Sequence, residues 1–513
     1  MELAGSHLSE TLAHQFGKFD FMKPLGAMWQ PRKKRTISWY CLTGIVAIGL
    51  PSVALPQSLP APAPPFQLPA AVTPFETPPA PPPDAGLPVD QALSDQAKVQ
   101  MEQKTRDIKE VTKSDPSTGR DGREKEKEPE SDQKWTVKLG GHVQTDYVLW
   151  ANADPTIPSP DNYFEFRRLR LVADGVGYGN ADFRLQMTLE PETPGEALQI
   201  ATSPDVKDAY FTLNDLPWLG RLRIGHFFVP FGLEQVTNDT NNIFLERSIP
   251  TQGIFTADRE VGIALYNQDA DRRTTWSHGI FLDSISDSLK DRFDDNQGTR
   301  LSARYTWLPI VSDSPTSGPL LHLGAGALHT IDHNQLVRFR ARPQIHEGPR
   351  LIDSGLIQAT DFTTGNVELA AIWRSFTLQS EAFLSRVDRI NSGAVELPGG
   401  YVHLSWFLTG ENRIYERFGQ HGAQFGRNVP NSPLLGKRGK RGPGAWELKV
   451  RWSYLDLDRL DRGQYNDISS GFNWYWSDRT RIMFDWIHPW TTKETVVQGA
   501  EADILGMRFD FNW

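Results

Sequence analysis

In the run Val337-Arg338-Phe339-Arg340-Ala341-Arg342, three guanidinium groups occupy alternate positions with apolar residues between them. On an extended strand alternate side chains share one face and lie about 7 Å apart along the chain. The three cations then form a row. A guanidinium stays charged at any physiological pH and offers a planar fork of N–H donors that matches the oxygens of phosphate. A row of moderate sites lets an anion exchange its hydration stepwise and still leave, which suits conduction better than capture. The same pattern recurs elsewhere. Leu169 and Leu171 share one face, which sets Arg168 and Arg170 on the other, with Arg167 near the strand's end. Arg184, Arg221, Arg223, Arg300, Arg304, Lys449 and Arg451 also stand opposite apolar neighbours in alternating runs. A competing reading pairs these cations with carboxylates of the same parity, Asp146, Glu190, Glu368, Glu381 and Glu447, as braces. The triplet at 338, 340 and 342 outnumbers its neighbouring carboxylates, which favours the anion path there.

Such rows need strands to hold them. The last ten residues alternate without a break, with Leu505, Met507, Phe509, Phe511 and Trp513 on one face and Gly506, Arg508, Asp510 and Asn512 on the other. Bulky apolar groups opposite charges, at a period of two, suit a strand separating lipid from water. Segments of this kind recur at 135–150, 165–176, 181–190, 207–215, 219–228, 260–267, 274–283, 299–308, 320–330, 335–343, 364–374, 376–387, 400–409, 445–456, 466–476, 479–488 and 502–513. Bacterial single-chain barrels have even strand counts. The expectation is therefore an all-β, antiparallel transmembrane barrel of about sixteen strands over 135–513, with one of these segments a loop. A barrel of that size can enclose an aqueous channel.

The residues before 135 differ in character. Arg32-Lys33-Lys34-Arg35, an apolar stretch from Ile37 to Leu50 and Ser52-Val53-Ala54 read as a secretory signal peptide over 1–54, with Met22 or Met28 as alternative starts. The one cysteine, Cys41, lies inside that stretch, so cleavage after Ala54 leaves a chain without thiols. Residues 55–88 are rich in proline and alanine and read as an extended linker. Residues 89–134 are charged and read as a disordered segment or a short helix or coiled coil. A competing reading takes 55–134 as an envelope tether that binds peptidoglycan, but its lack of aromatics and of a foldable core favours a spacer.

Several blocks of the barrel region resemble the phosphate-selective porins O and P of Gram-negative bacteria. They are Glu165-Phe-Arg-Arg-Leu-Arg-Leu171, Lys207-Asp-Ala-Tyr210, Gly225-His-Phe-Phe-Val-Pro-Phe-Gly-Leu-Glu234 with Phe244-Leu-Glu-Arg-Ser248, Trp406-Phe-Leu-Thr-Gly-Glu411 with Arg413 and Tyr415, and Gly444-Ala-Trp-Glu-Leu-Lys-Val-Arg451. The resemblance implies an outer-membrane homotrimer of sixteen-stranded barrels, each narrowed by a third loop folded into the pore. Here that loop corresponds to 230–257. It further implies that Arg167, Arg168, Arg338, Arg340 and Arg342 form an arginine ladder, that Arg247 lies on the constriction loop, and that phosphate or other small anions permeate.

Other chemistries find less support. A general or differently selective porin needs the same barrel with different lumen charges. An outer-membrane hydrolase needs serine, histidine and an orienting polar group on one face. His142, His403 and Ser405 have the right parity, but no serine motif surrounds them. Neither a metal-ligand motif nor a phosphate-cradling glycine loop is visible in the sequence, so neither a cofactor nor nucleic acid is expected. The basic run Gly436-Lys-Arg-Gly-Lys-Arg-Gly442 reads as a solvated loop, or as a patch that gathers anions or lipid phosphates at a pore mouth.

Overall fold

The computed structural model describes residues 135–190, 205–283, 298–312, 318–332, 335–436 and 441–513. The expectations for residues 1–134, and for most of the basic run at 436–442, lie outside them.

Sixteen antiparallel strands form one closed barrel. They are β1 (Thr136–Ala153), β2 (Tyr163–Gly177), β3 (Ala181–Thr188), β4 (Asp205–Leu216), β5 (Gly220–Phe228), β6 (Arg259–Gln268), β7 (Thr274–Asp283), β8 (Gly298–Val311), β9 (Leu320–Ile331), β10 (Ile357–Trp373), β11 (Phe376–Arg389), β12 (Val395–Phe407), β13 (Ala445–Asp456), β14 (Gln464–Tyr475), β15 (Thr480–Thr491) and β16 (Ala502–Asn512). Each pairs with its neighbour in sequence, and β1 also pairs with β16, so no edge remains open to lipid. The alternation sorts side chains as the sequence implies. On β2, Phe164, Phe166 and Leu171 are exposed while Arg168 and Arg170 are buried in the barrel.

The segment at 335–343 is the loop among the seventeen expected strands. Only Leu336–Val337 touches the barrel ladder, through β10, while Arg340–Ala341 pairs with Ile352–Asp353 in a separate small ribbon. Its period of two is real, but its apolar face meets protein. Val337, Phe339 and Ala341 are buried, and the Phe339 ring lies 5.8 Å from that of Phe255 on the loop after β5. Alternation alone does not tell lipid from a buried protein surface.

Connections after odd-numbered strands lie at one rim and those after even-numbered strands at the other. At the even rim the exposed aromatics Trp307, Trp373, Phe376, Trp406 and Trp513 mark the level where lipid meets water. Among the described residues, three connecting segments turn inward. Two belong to the odd rim, 229–258 between β5 and β6 and 335–356 ahead of β10. The third, 408–436 after β12, enters from the even rim and carries the ribbon Tyr415–Gly419 with Gly422–Phe425.

The barrel closes at its last residue. Trp513 N–H donates to Gly141 O at 3.1 Å, and Gly141 N–H donates back to Trp513 O at 3.4 Å. A Cβ at Gly141 would lie 2.5 Å from the Trp513 ring and 2.3 Å from Arg170 O, so this position needs glycine. Deleting Trp513 removes this closing pair together with an interfacial aromatic. The expected outcome is a smaller heat-modifiable, folded fraction in outer membranes; an undiminished fraction would place closure elsewhere.

Candidate anion cavity

The first inward loop is held by the barrel wall rather than by its own secondary structure. Its one α-helical turn, Leu233–Val236, follows Gly232 at φ 77°, a conformation that favours glycine, and two short 3-10 turns, Asp239–Asn241 and Ile249–Thr251, come after it. The Leu233 and Glu234 N–H groups donate to the two oxygens of Glu381, each at 2.8 Å. Beyond the turn the loop runs through the lumen, and side chains from the far wall meet its backbone. Arg481 donates to Asn242 O at 2.7 Å, Lys449 to Ile243 O at 2.5 Å, Arg508 to Leu245 O, and Arg451 to Glu246 O at 3.0 Å. Asp485 accepts the Leu245 N–H at 2.9 Å.

Lys449 and Arg451, expected to line the pore, therefore hold the loop. Arg451 also reaches Glu234 at 3.1 Å, and Lys449 pairs with Asp485. Arg184, Arg221, Arg223 and Arg304 point into the lumen but engage the segment that enters from the even rim. Arg184 donates to Gln420 at 3.1 Å, Arg221 to Gly419 O at 2.8 Å, and Arg304 to Ala423 O at 2.9 Å. Arg223 stacks on the Tyr210 ring at 4.0 Å and meets His421 at 3.4 Å. Arg300 contacts Thr330 at 2.8 Å and pairs with Glu260.

The bracing alternative holds for Arg304, whose fork takes both oxygens of Glu368 at 2.8 Å. It does not describe Glu381 or Glu447. The first serves the loop backbone, and the second accepts from Tyr475 and Asn473 at 2.7 and 2.9 Å. His403 faces the Arg413 guanidinium at 3.5 Å and the Tyr401 and Phe244 rings, a surrounding without the orienting carboxylate of a hydrolytic triad.

The remaining expected cations meet at one place. A cavity of about 380 Å³ opens between β2, the first inward loop and the loop after β9. Arg167, Arg168, Arg170, Arg247, Arg340 and Arg342 line it. Arg338 does not. Its fork closes on Asp353 of the small ribbon at 2.9 and 2.5 Å. Lys207, Arg259 and Arg350 complete the cationic lining, against the carboxylates Glu190, Asp205, Asp239, Glu246 and Asp258. Among the described residues cations thus outnumber carboxylates nine to five.

How Arg167 and Arg168 both face inward is a matter of register. Opposite Gln144 and Thr145 the ladder steps from Arg168 directly to Phe166, so Arg167 is the extra residue of a β-bulge. Phe166 keeps its lipid-facing orientation, while Arg167 turns to the lumen and pairs with Glu246 at 2.7 Å.

At the cavity floor three guanidiniums converge on one carboxylate. Asp239 lies 3.3 Å from Arg168, 3.0 Å from Arg170 and 2.8 Å from Arg247. Burial by itself would raise this carboxyl, but Arg168, Arg247 and Arg170 outweigh it and hold it well below the usual carboxylate range. Glu246 is held low in the same way, burial being overcome by Arg167 and Arg508. The Asp239 carboxylate thus shows that the Arg168, Arg170 and Arg247 guanidiniums can surround an anion.

The family described as phosphate-selective porin O and P matches residues 137–513. An uncharacterized protein of Caulobacter vibrioides is 29% identical over 311 residues, spanning 57% of this chain and 58% of that one. Porin O of Pseudomonas aeruginosa is 22% identical over 410 residues, spanning 72% of this chain and 86% of that one. Among solved structures, an anion-selective porin from Comamonas acidovorans aligns with a TM-score of 0.43 and 14% identity over 74% of this chain and 100% of that one. OmpT of Vibrio cholerae lacking its loop L8 gives 0.45 at 10% identity, over 74% of this chain and 99% of that one.

The tie between Arg508 and the loop yields a direct test. Arg508 is buried and takes both oxygens of Asp146 at 2.6 Å as well as Leu245 O. Arg508→Ala strands a buried carboxylate and a backbone carbonyl, a loss of about 3–5 kcal/mol for a broken buried pair. The expected result is a noisier channel of higher single-channel conductance, because the loop leaves the wall. Conductance and noise equal to those of the parent would mean that the loop is held without this residue.

Proposed function

The chain belongs to the phosphate-selective porin O and P family, whose members are outer-membrane channels, and we propose that this porin conducts small anions, phosphate or polyphosphate foremost. The observation that carries this reading is the convergence of Arg168, Arg170 and Arg247 on Asp239 at the floor of a cavity in which cations exceed carboxylates. An anion in this cavity is within reach of Arg340 and Arg342 on the loop after β9, of the guanidiniums of β2, and of Arg247 beside Asp239. Each offers charge-assisted hydrogen bonds that replace part of the hydration shell. Asp239 keeps the deepest site shallow, since its carboxylate competes with the passing ion and helps release it. Fixed guanidiniums favour phosphate over chloride because a planar fork matches two oxygens at once.

The same reading takes residues 1–54 as the export signal, 55–88 as a spacer and 89–134 as a charged segment between spacer and barrel. It also takes the assembled form as a homotrimer embedded in outer-membrane lipid. A general anion porin would share the cavity and lack the phosphate preference.

Single-channel recording in chloride with added phosphate separates these readings: phosphate blocks the chloride current of a phosphate site and adds to that of a general porin. Arg340→Ala and Arg342→Ala are each expected to weaken the block by about 1–3 kcal/mol, the scale of one hydrogen bond to a charged group. Arg338→Ala, outside the cavity, leaves it unchanged. A double variant at 340 and 342 that inserts normally and keeps its full block would remove this loop from the anion path.

Asp239→Asn tests the floor. With the competing charge gone, phosphate should block at lower concentration and leave more slowly. A weaker block would assign Asp239 the task of positioning the three arginines instead.

A further inference from the structure

We propose that Glu165, His346 and Glu347 form a divalent transition-metal site, best suited to zinc, which ties the loop after β9 to the barrel wall beside the cavity. One ligand atom from each residue lies within 4.8 Å of the others. His346 Nδ1 is 2.8 Å from Glu165 Oε2 and 3.5 Å from Glu347 Oε1. Zinc–nitrogen and zinc–oxygen bonds of about 2.0–2.2 Å in a tetrahedron place neighbouring donors roughly 3.4 Å apart. The two spacings from His346 bracket that value. Small side-chain shifts are enough to admit the ion, which takes the place of the His346–Glu165 hydrogen bond.

One further observation points to a cation. Glu165 Oε1, the second oxygen of the same carboxylate, is buried and has no hydrogen-bond partner among the described residues. A buried carboxylate oxygen left so is costly, and a bound cation relieves it. The Glu347 backbone is fixed as well, its N–H donating to Tyr163 Oη at 3.2 Å, so that the wall strand and the loop meet at the site from both sides. His346 borders the cavity, which gives an ion a route in and leaves a fourth position for water. Arg342 stands 4.0 Å from Glu347 Oε2, and this positive neighbour makes the site moderate rather than tight.

One imidazole and two carboxylates suit zinc better than calcium or magnesium, which prefer more oxygen ligands. Bound zinc would neutralise two carboxylates beside an anion path and fasten the loop that carries Arg340 and Arg342. The assignment does not depend on which anion permeates.

The test uses the full chain, purified in detergent without a histidine tag and stripped with a chelator, in chloride buffer free of phosphate. Titration with zinc chloride should show one ion per chain at this site. His346→Ala and Glu165→Gln should each weaken it by at least roughly tenfold, the scale of losing a contact at a metal centre. Folding of each variant is checked by heat-modifiable migration. His488→Ala serves as the control, since His488 pairs with Asp503 at 3.0 Å away from these residues, and it should bind zinc as the parent does. Absence of zinc binding in the parent overturns the proposal. So does zinc binding that survives both substitutions, because the ion then sits elsewhere.

Discussion

A chain folded into the middle of a barrel carries its backbone polar groups away from water, and each one needs a partner. Here the wall supplies those partners. Arg451, Arg481, Arg508 and Lys449 donate to four of the five carbonyls from Asn242 to Glu246, while Glu381 and Asp485 accept N–H groups of the same loop. The charged lumen is thus the scaffold on which an otherwise irregular loop becomes a fixed object. Without those contacts the loop, with only three isolated helical turns, has little to hold its shape.

This division sorts the lumen cations into two groups. Those on β13, β15 and β16, with Arg184, Arg221, Arg223 and Arg304, are spent on backbone carbonyls, carboxylates or rings of the inward segments. Those on β2 and on the loops themselves surround the cavity. The first group keeps the second in place, because Arg247 and Asp239 sit on the loop that the first group holds. A guanidinium serves both tasks for the same reason. It stays charged when buried and directs several N–H donors in fixed directions.

Segments entering from opposite rims meet inside the barrel. Asn241 of the first loop donates to Phe425 O at 3.3 Å, and Arg413 donates to Asn241 O at 3.4 Å. The lumen is therefore entered by chain from both ends, and like charges gather around a cavity on the odd-rim side. Guanidiniums that line a cavity repel one another, so they leave room that apolar packing would have closed.

The sequence by itself determined the barrel. Lipid outside and polar groups inside impose a period of two on every strand, and an even strand count required one of the seventeen segments to be a loop without saying which. It also marked Arg167, Arg168, Arg170, Arg247, Arg340 and Arg342, all of which meet at the cavity. Tertiary structure decided the rest. Parity says that a side chain points inward but not what it meets there, and the partner of Arg451 on Glu246 is separated by most of the barrel's chain. The bulge that turns Arg167 inward depends on a one-residue register step between β1 and β2, which alternation along β2 alone does not reveal. The triplet at 338–342 kept its period while its apolar face turned to Phe255 instead of lipid, so Arg338 left the row to pair with Asp353. Glu165 and His346 stand far apart in sequence, and no local motif links them; only the fold of the loop onto β2 brings their donor atoms together.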